Sequence, residues 1–268
     1  MSMCRLFCSL SLREVSPYEM IFDSKYSIAK QAKVEGHADG WGFCYYENGA
    51  LSLLTRKTRP LYENIDEAKE LVKRSSSNIS LFFVRKASNP LKIEKNSLLT
   101  IDATQPFSYK DITFIHNGSL GSPNTLTRAL TGYHMRPRSL NDSEPYFIAF
   151  MRFMEEKKNV YKALKSAEQL INDTFDPSAT EDKAPFSCLN VIISDGRSVY
   201  AYNRYTAKHN KSLVDPNRDY YKMCFKKTNK SLIISSEPTD DDKWEDLGDG
   251  KFLEASVENG KICCKVET

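Results

Sequence analysis

Apolar positions along the chain change period several times, and each change marks an element. Ser16-Pro17-Tyr18-Glu19 has capping-box spacing with Pro at a first helical position, which predicts a helix from there to about Ala32, ending before Gly36. From Trp41 the pattern turns aromatic and β-branched. It is broken by Asn48-Gly49, a strong hairpin signal, which predicts two strands over about Trp41 to Leu54. A second helix fits Ile65 to Arg74. The apolar runs Ile79 to Arg85 and Ile112 to His116 have strand length, and each ends in polar residues. Pro145 to Lys157 and Val160 to Phe175 read as a helix pair. Beyond Pro185, strands are expected at Leu189 to Ile193, Ser198 to Asn203, Tyr220 to Lys226, Ser231 to Ser235 and two short runs in the tail, with turns at Asp195-Gly196 and Asn259-Gly260. Asp176 to Ala184 reads as the least ordered piece and Tyr205 to Arg218 as a long polar loop. Sheets on both sides of a helix block predict a layered α+β architecture rather than alternating βαβ units.

Composition narrows the function classes. In 268 residues, 40% hydrophobic content with 14 Phe, 14 Tyr and 2 Trp is enough to build a packed core and excludes a disordered chain. The 38 Lys+Arg and 35 Asp+Glu are interspersed, giving a net charge of +3 without a basic stripe, so nucleic-acid binding is not expected. No run approaches the roughly 18 apolar residues of a membrane span, and the start lacks the apolar core of a signal peptide; a cytoplasmic protein with no membrane contact is expected. Seven scattered cysteines with no Cys-x-x-Cys suggest neither a disulfide framework nor a metal site. His37, His134 and His209 lack metal spacing and read as surface or structural residues. Cys263-Cys264, on a strand, points its thiols to opposite faces, as ordinary packing would.

Four positions carry candidate chemistry. Cys4 is a strand-core residue by position, but becomes a nucleophile if processing exposes its α-amine, whose pKa of roughly 7.7–8 lets it accept the thiol proton. In His116-Asn117-Gly118, the Asn side-chain amide and the Gly N–H can form an oxyanion hole, although Asn-Gly is also an ordinary turn. Arg85, closing a strand, can hold a carboxylate bidentately or simply be solvated. Asp142 can bind an ammonium group or merely cap the helix that follows.

Taken together, Met3-Cys4-Arg5-Leu6-Phe7, Ala38-Asp39-Gly40-Trp41-Gly42, Val84-Arg85-Lys86-Ala87-Ser88, Gln105-Pro106-Phe107, His116-Asn117-Gly118-Ser119-Leu120, Asp142-Ser143-Glu144 and Ser236-Glu237-Pro238 resemble, in order, the motifs of the class II glutamine amidotransferases. The likeness is to their stand-alone branch beginning Met-Cys-Arg-Leu. This resemblance implies the four-layer αββα sandwich of the N-terminal nucleophile hydrolases, as a single domain over 4–268. It implies Cys4 as nucleophile, Asn117 and Gly118 as oxyanion hole, Arg85 on the substrate α-carboxylate and Asp142 on its α-amino group. Asp39, Gly40, Trp41 and His116 would shape the pocket, and neither cofactor nor metal is required. The activity implied is hydrolysis of the glutamine side-chain amide, with ammonia passed to a separate synthase or acceptor subunit. The alternatives are a γ-glutamyl peptide or conjugate hydrolase and a catalytically silent regulatory subunit. The mechanism needs Cys4 as residue one: removal of Met3 as initiator would free it, whereas loss of Met1 alone would leave Ser2 terminal.

Overall fold

A computed structural model describes residues 4–178, 184–206, 212 and 217–268. The strands are β1 (Arg5–Val15), β2 (Trp41–Glu47), β3 (Ala50–Lys57), β4 (Ser77–Val84), β5 (Phe107–Tyr109), β6 (Ile112–Asn117), β7 (Asn190–Ser194), β8 (Ser198–Asn203), β9 (Cys224–Lys227), β10 (Ser231–Ser235), β11 (Glu245–Asp246), β12 (Lys251–Glu258) and β13 (Lys261–Glu267). The helices are α1 (Ile28–Glu35), α2 (Ile65–Arg74), α3 (Pro123–Ala129), α4 (Ser143–Lys157) and α5 (Val160–Asp173).

Two antiparallel sheets result, one in the order β11-β9-β10-β1-β4-β2-β3 and the other β13-β12-β8-β7-β6-β5. Strand alternation sorts side chains into layers. On β1 and the residue before it, Cys4, Leu6, Cys8 and Leu10 point between the sheets, where they meet Ile115, Ile192, Ala201 and Leu253 of the second sheet. Phe7, by contrast, points outward with Trp41, Phe43 and Phe82 against Ile28 and Ala32 of α1 and Ala68 and Val72 of α2. On the far side, Phe114, Val191 and Ile193 carry α4 and α5 through Tyr146, Phe150, Leu164 and Ile171. The order of layers is helix, sheet, sheet, helix, and the α+β four-layer expectation holds.

Several elements depart from the sequence reading. The single helix expected from Pro17 to Ala32 is a π-helical turn, Glu19–Asp23, followed by a break and then α1. Ser24 turns extended at ψ 159°, and Ser27 restarts the helix by accepting a hydrogen bond from the Lys30 N–H. Gly36, left-handed at φ +68°, ends it. The strand expected from Tyr220 begins only at Cys224, because Tyr220 and Tyr221 pack on Cys188 instead. β5 and α3 were not anticipated, and the tail strands β12 and β13 are longer than the short runs expected. Of the two expected loops, residues 179–183, 207–211 and 213–216 lie outside the described residues, as does His209. Among the described residues, no helix is long and apolar enough to cross a membrane.

Gly42 fixes how closely the segment before β5 approaches the first sheet. A Cβ there would lie 2.0 Å from the Gln105 carbonyl oxygen and 2.6 Å from Pro106 Cδ. Gly42→Ala is therefore expected to lose about 1–3 kcal/mol of unfolding free energy in urea titration through overpacking. Gly248→Ala is the control and should change little, since its Cβ meets only Lys251 Cγ at 3.5 Å. Equal stability of the two variants would contradict the close approach.

Candidate active site

The antiparallel register of β1 with β4 pairs Arg5 with Val84, which places Cys4 at the stretch just beyond β4. Its Sγ accepts a hydrogen bond from the Lys86 N–H and donates to the Lys86 carbonyl, both at 3.5 Å. The segment after β4 is held by the loop leading into β2: Arg85 N donates to Gly40 O at 2.9 Å and Asp39 N to Arg85 O at 3.2 Å. The Asp39 carboxylate accepts from Ala87 N and pairs with Lys95 Nζ, both at 2.9 Å. The Arg85 guanidinium is 1% exposed and donates to the Leu98 carbonyl at 2.8 Å. Burial lowers its pKa, opposed by Cys4, Asp39 and Asp142. Burial likewise pushes the Cys4 thiol up to about 11; the Lys86 N–H and Arg85 work against the rise, Asp142 and Asp39 with it. At neutral pH the thiol is therefore protonated.

Asp142 starts α4, yet its side chain does not cap that helix. The capping bond comes from Asn141, whose Oδ1 accepts from Ser143 N at 2.6 Å. Asp142 is freed to reach the loops at Ser88 and Leu120. Its carboxylate accepts from Ser88 Oγ at 2.7 Å and from Leu120 N at 3.0 Å while only 2% exposed. A buried carboxylate whose charge acts on a buried guanidinium is the mirror image of an α-amino acid zwitterion.

The end of β6 supplies the third side. The Gln105 side-chain amide pairs with the backbone of His116, donating to its carbonyl at 3.2 Å and accepting from its N–H. His116 Nε2 lies 3.1 Å from the Cys188 carbonyl and Nδ1 2.8 Å from Ser143 Oγ. A carbonyl only accepts, so Nε2 carries the proton and Nδ1 accepts from the serine. Burial drops this histidine to about 4 and keeps it neutral. It therefore serves as a strut that joins β6, α4 and the segment leading into β7. Gly118 follows at φ +158°, where a Cβ would sit 1.8 Å from Cys188 O. Only glycine fits there. Asn117 is 1% exposed and its Oδ1 has no partner, so the fold leaves that amide uncommitted on one side.

The structure thus brings Cys4, Arg85, Asp39 and Asp142 into one electrostatic neighbourhood, and the Asp142 charge also acts on His116. Trp41 lies apart from these side chains, its indole fully buried in the outer layer and stacked on Phe82 with centroids 5.9 Å apart. Gly40 contributes backbone only: at φ +126° its Cβ position lies 2.5 Å from Lys57 O. Ser88, Gln105, Asn141 and Tyr221, whose hydroxyl feels the charge of a Cys4 thiolate, were missed as individuals. Ser88 and Gln105 lay inside the matching strings, whereas no local signal marks Tyr221.

Two facing antiparallel sheets, each covered by helices, make the four-layer αββα fold of the N-terminal nucleophile hydrolases. The model of the class-II glutamine amidotransferases matches residues 3–267, and the chain belongs to that family. It is 24% identical over 256 residues to a probable glutamine amidotransferase, DUG3, of Saccharomyces cerevisiae, covering 81% of this chain and 68% of the relative. Among solved structures it is similar to a class-II domain protein of Silicibacter pomeroyi, with a TM-score of 0.60 and 15% identity over 98% of both chains. It is also similar to the glutamine phosphoribosylpyrophosphate amidotransferase of B. subtilis, with a TM-score of 0.63 and 12% identity, spanning 98% of this chain and 49% of that one.

The His116 strut has a pH signature. Its folded pKa of about 4 lies below the ordinary 6.5, so between those values the unfolded chain binds more protons. The stabilisation is complete above pH 6.5 and is lost as pH falls towards 4, with a magnitude on the order of 3 kcal/mol. Urea unfolding at pH 7 and pH 4.5 should show a larger loss for the native chain than for His116→Gln. Identical losses would exclude a buried neutral imidazole.

Proposed function

We propose that the chain folds as one glutaminase domain over 4–268 and hydrolyses the side-chain amide of glutamine through Cys4, for an acceptor that takes up ammonia. The observation that carries this is the convergence of a buried guanidinium, Arg85, and a buried carboxylate, Asp142, on the Cys4 thiol. Such a pair matches the α-carboxylate and α-ammonium of one amino acid and leaves its side chain to reach the sulfur. All seven cysteines are free, which fits a reducing, cytoplasmic setting.

The chemistry follows from the thiol's environment. With its pKa near 11 the thiol needs a base in contact, and the freed α-amine of Cys4 has a pKa of roughly 7.7–8. The amine takes the thiol proton as sulfur attacks the amide carbon. The developing oxyanion is met by the Asn117 side-chain amide and the Gly118 N–H. The amine then protonates the leaving nitrogen, ammonia departs, and water attacks the thioester by the same route to give glutamate. An internal Cys4 has no such base, so release of residues 1–3 is part of the proposal. Exposures of 7% at Cys4, 1% at Arg85 and 2% at Asp142 describe a closed site suited to a small amide and to excluding water.

Cys4→Ala is expected to abolish glutaminase activity with an unchanged melting temperature, and Asn117→Ala to lower kcat by roughly 10²–10³ with little change in KM. Retained turnover in the first, or a change confined to KM in the second, would contradict these roles. Intact mass of the active protein should begin at Cys4; a chain that keeps residues 1–3 would favour the silent subunit.

Recognition is tested separately. Glutamine should be turned over, while its decarboxylated and N-acetylated analogues should not, and Arg85→Lys should raise KM because a point charge cannot replace the planar fork. Equal turnover of the analogues would make Arg85 and Asp142 structural. Purified protein should act on glutamine slowly and faster with its acceptor present. Faster, unaided cleavage of γ-glutamyl dipeptides would instead assign the γ-glutamyl hydrolase.

A further inference from the structure

The second sheet ends at β13, which among the described residues is bonded on one side only, to β12. A seven-residue strand with a free edge offers unpaired backbone donors and acceptors. Its sequence, Lys261-Ile262-Cys263-Cys264-Lys265-Val266-Glu267, reads almost as its own mirror about Cys264: a basic and an acidic end, and an aliphatic residue next to each. Ile262 and Cys264 face the core between the sheets, while Lys261, Cys263, Lys265 and Glu267 lie on the other face.

We propose that two copies of this chain pair through β13, antiparallel about a two-fold axis at Cys264. In that register Lys261 meets the partner's Glu267, and Ile262 meets the partner's Val266, each twice by symmetry. Val266, 45% exposed in the single chain, gains an apolar neighbour and extends the inter-sheet core. A ladder of charge runs Glu258, Lys261, then the partner's Glu267, since Lys261 already stands opposite Glu258 on β12.

Charge also selects this register over its neighbours. A slip by one residue would set one copy's core face against the other's outer face. Shifting the pairing so that Cys263 lies on the axis sets Lys261 opposite Lys265, and shifting it to Lys265 sets that lysine against itself. Edge lysines usually block pairing. Here the register about Cys264 pairs all seven residues, and Glu267 leaves it free of like charges.

Sedimentation velocity on the full chain should show a dimer. Lys261→Glu and Glu267→Lys should each weaken it roughly tenfold or more, and the combined charge swap should restore it. Unchanged melting temperatures will show that the variants fold, since Lys261 is exposed. Oxidation should join the dimer by a disulfide in Cys263→Ser, where the two Cys264 stand directly opposite, and not in Cys264→Ser, where the two Cys263 lie diagonally beyond disulfide reach. A monomer at all concentrations overturns the proposal, as does a dimer indifferent to the charge swaps, which would place another surface or occupant at the interface. Glutaminase activity is not part of the readout, so the result stands apart from the assignment of Cys4.

Discussion

Arg5 carries a charge with no exposure to water, one residue from the candidate nucleophile, and the backbone around the site is tied together through it. Because alternation on β1 sends Cys4 inward, Arg5 must point outward. There it meets Glu35 at the end of α1, Glu237 just past β10 at 2.8 Å, and the Tyr220 ring at 4.0 Å. Burial opposes the charge, but Tyr220, Glu237 and Glu35 outweigh it and keep the guanidinium protonated. Lys86 Nζ donates to the Glu35 carbonyl at 3.2 Å, while its own N–H reaches the Cys4 sulfur, so the network closes on the thiol. An ion cluster of this kind gives little net stability, but losing one member strands the others and costs about 3–5 kcal/mol. It therefore works as a lock on geometry rather than as a source of stability.

The same burial explains why the site needs every one of its charges. Desolvation raises the Cys4 thiol and destabilises Arg85, and each charged group near them is matched by hydrogen bonds from neighbouring loops. Asp39 is fixed by Ala87 N and Lys95, and Asp142 by Ser88 and Leu120 N. Their side chains consequently arrive pre-oriented, without reorganisation when a charged ligand enters.

What could be read from the sequence divides by the range of the interaction responsible. The Asn48-Gly49 turn, with both residues at positive φ, and α2 follow from signals within a few residues and were legible. The break before α1 was not, because Ser27 offers a second cap that competes with the Ser16 signal. Nor was the fate of Tyr220 and Tyr221, whose strand-like pattern is overridden by packing on Cys188. The placement of Trp41 was not legible for a related reason: it sits in a motif beside Asp39 and Gly40, but strand alternation turns its indole to the outer layer. Asp142 could not be told from a helix cap until Asn141 was seen to hold that position.

The site itself lies across both sheets. Cys4 and Arg85 come from the ends of β1 and β4 in the first sheet; Asn117 and Gly118 end β6 in the second, and Asp142 precedes a helix packed on that second sheet. No short segment contains both the proposed nucleophile and the proposed oxyanion donors. Their separation is set by the core between the sheets, Leu6 and Cys8 against Ile115 and Ile192. It is fixed further by two polar ties, Ser88 to Asp142 and Gln105 to His116, the second held down by the absent side chain of Gly42. Close packing transmits small changes in that core to the proposed donors and the sulfur, where a shift near 1 Å can cost about 10² in rate. The chemistry is accordingly a property of how the sandwich is packed, which is why motifs scattered from Cys4 to Glu237 had to be taken in order before any one of them carried meaning.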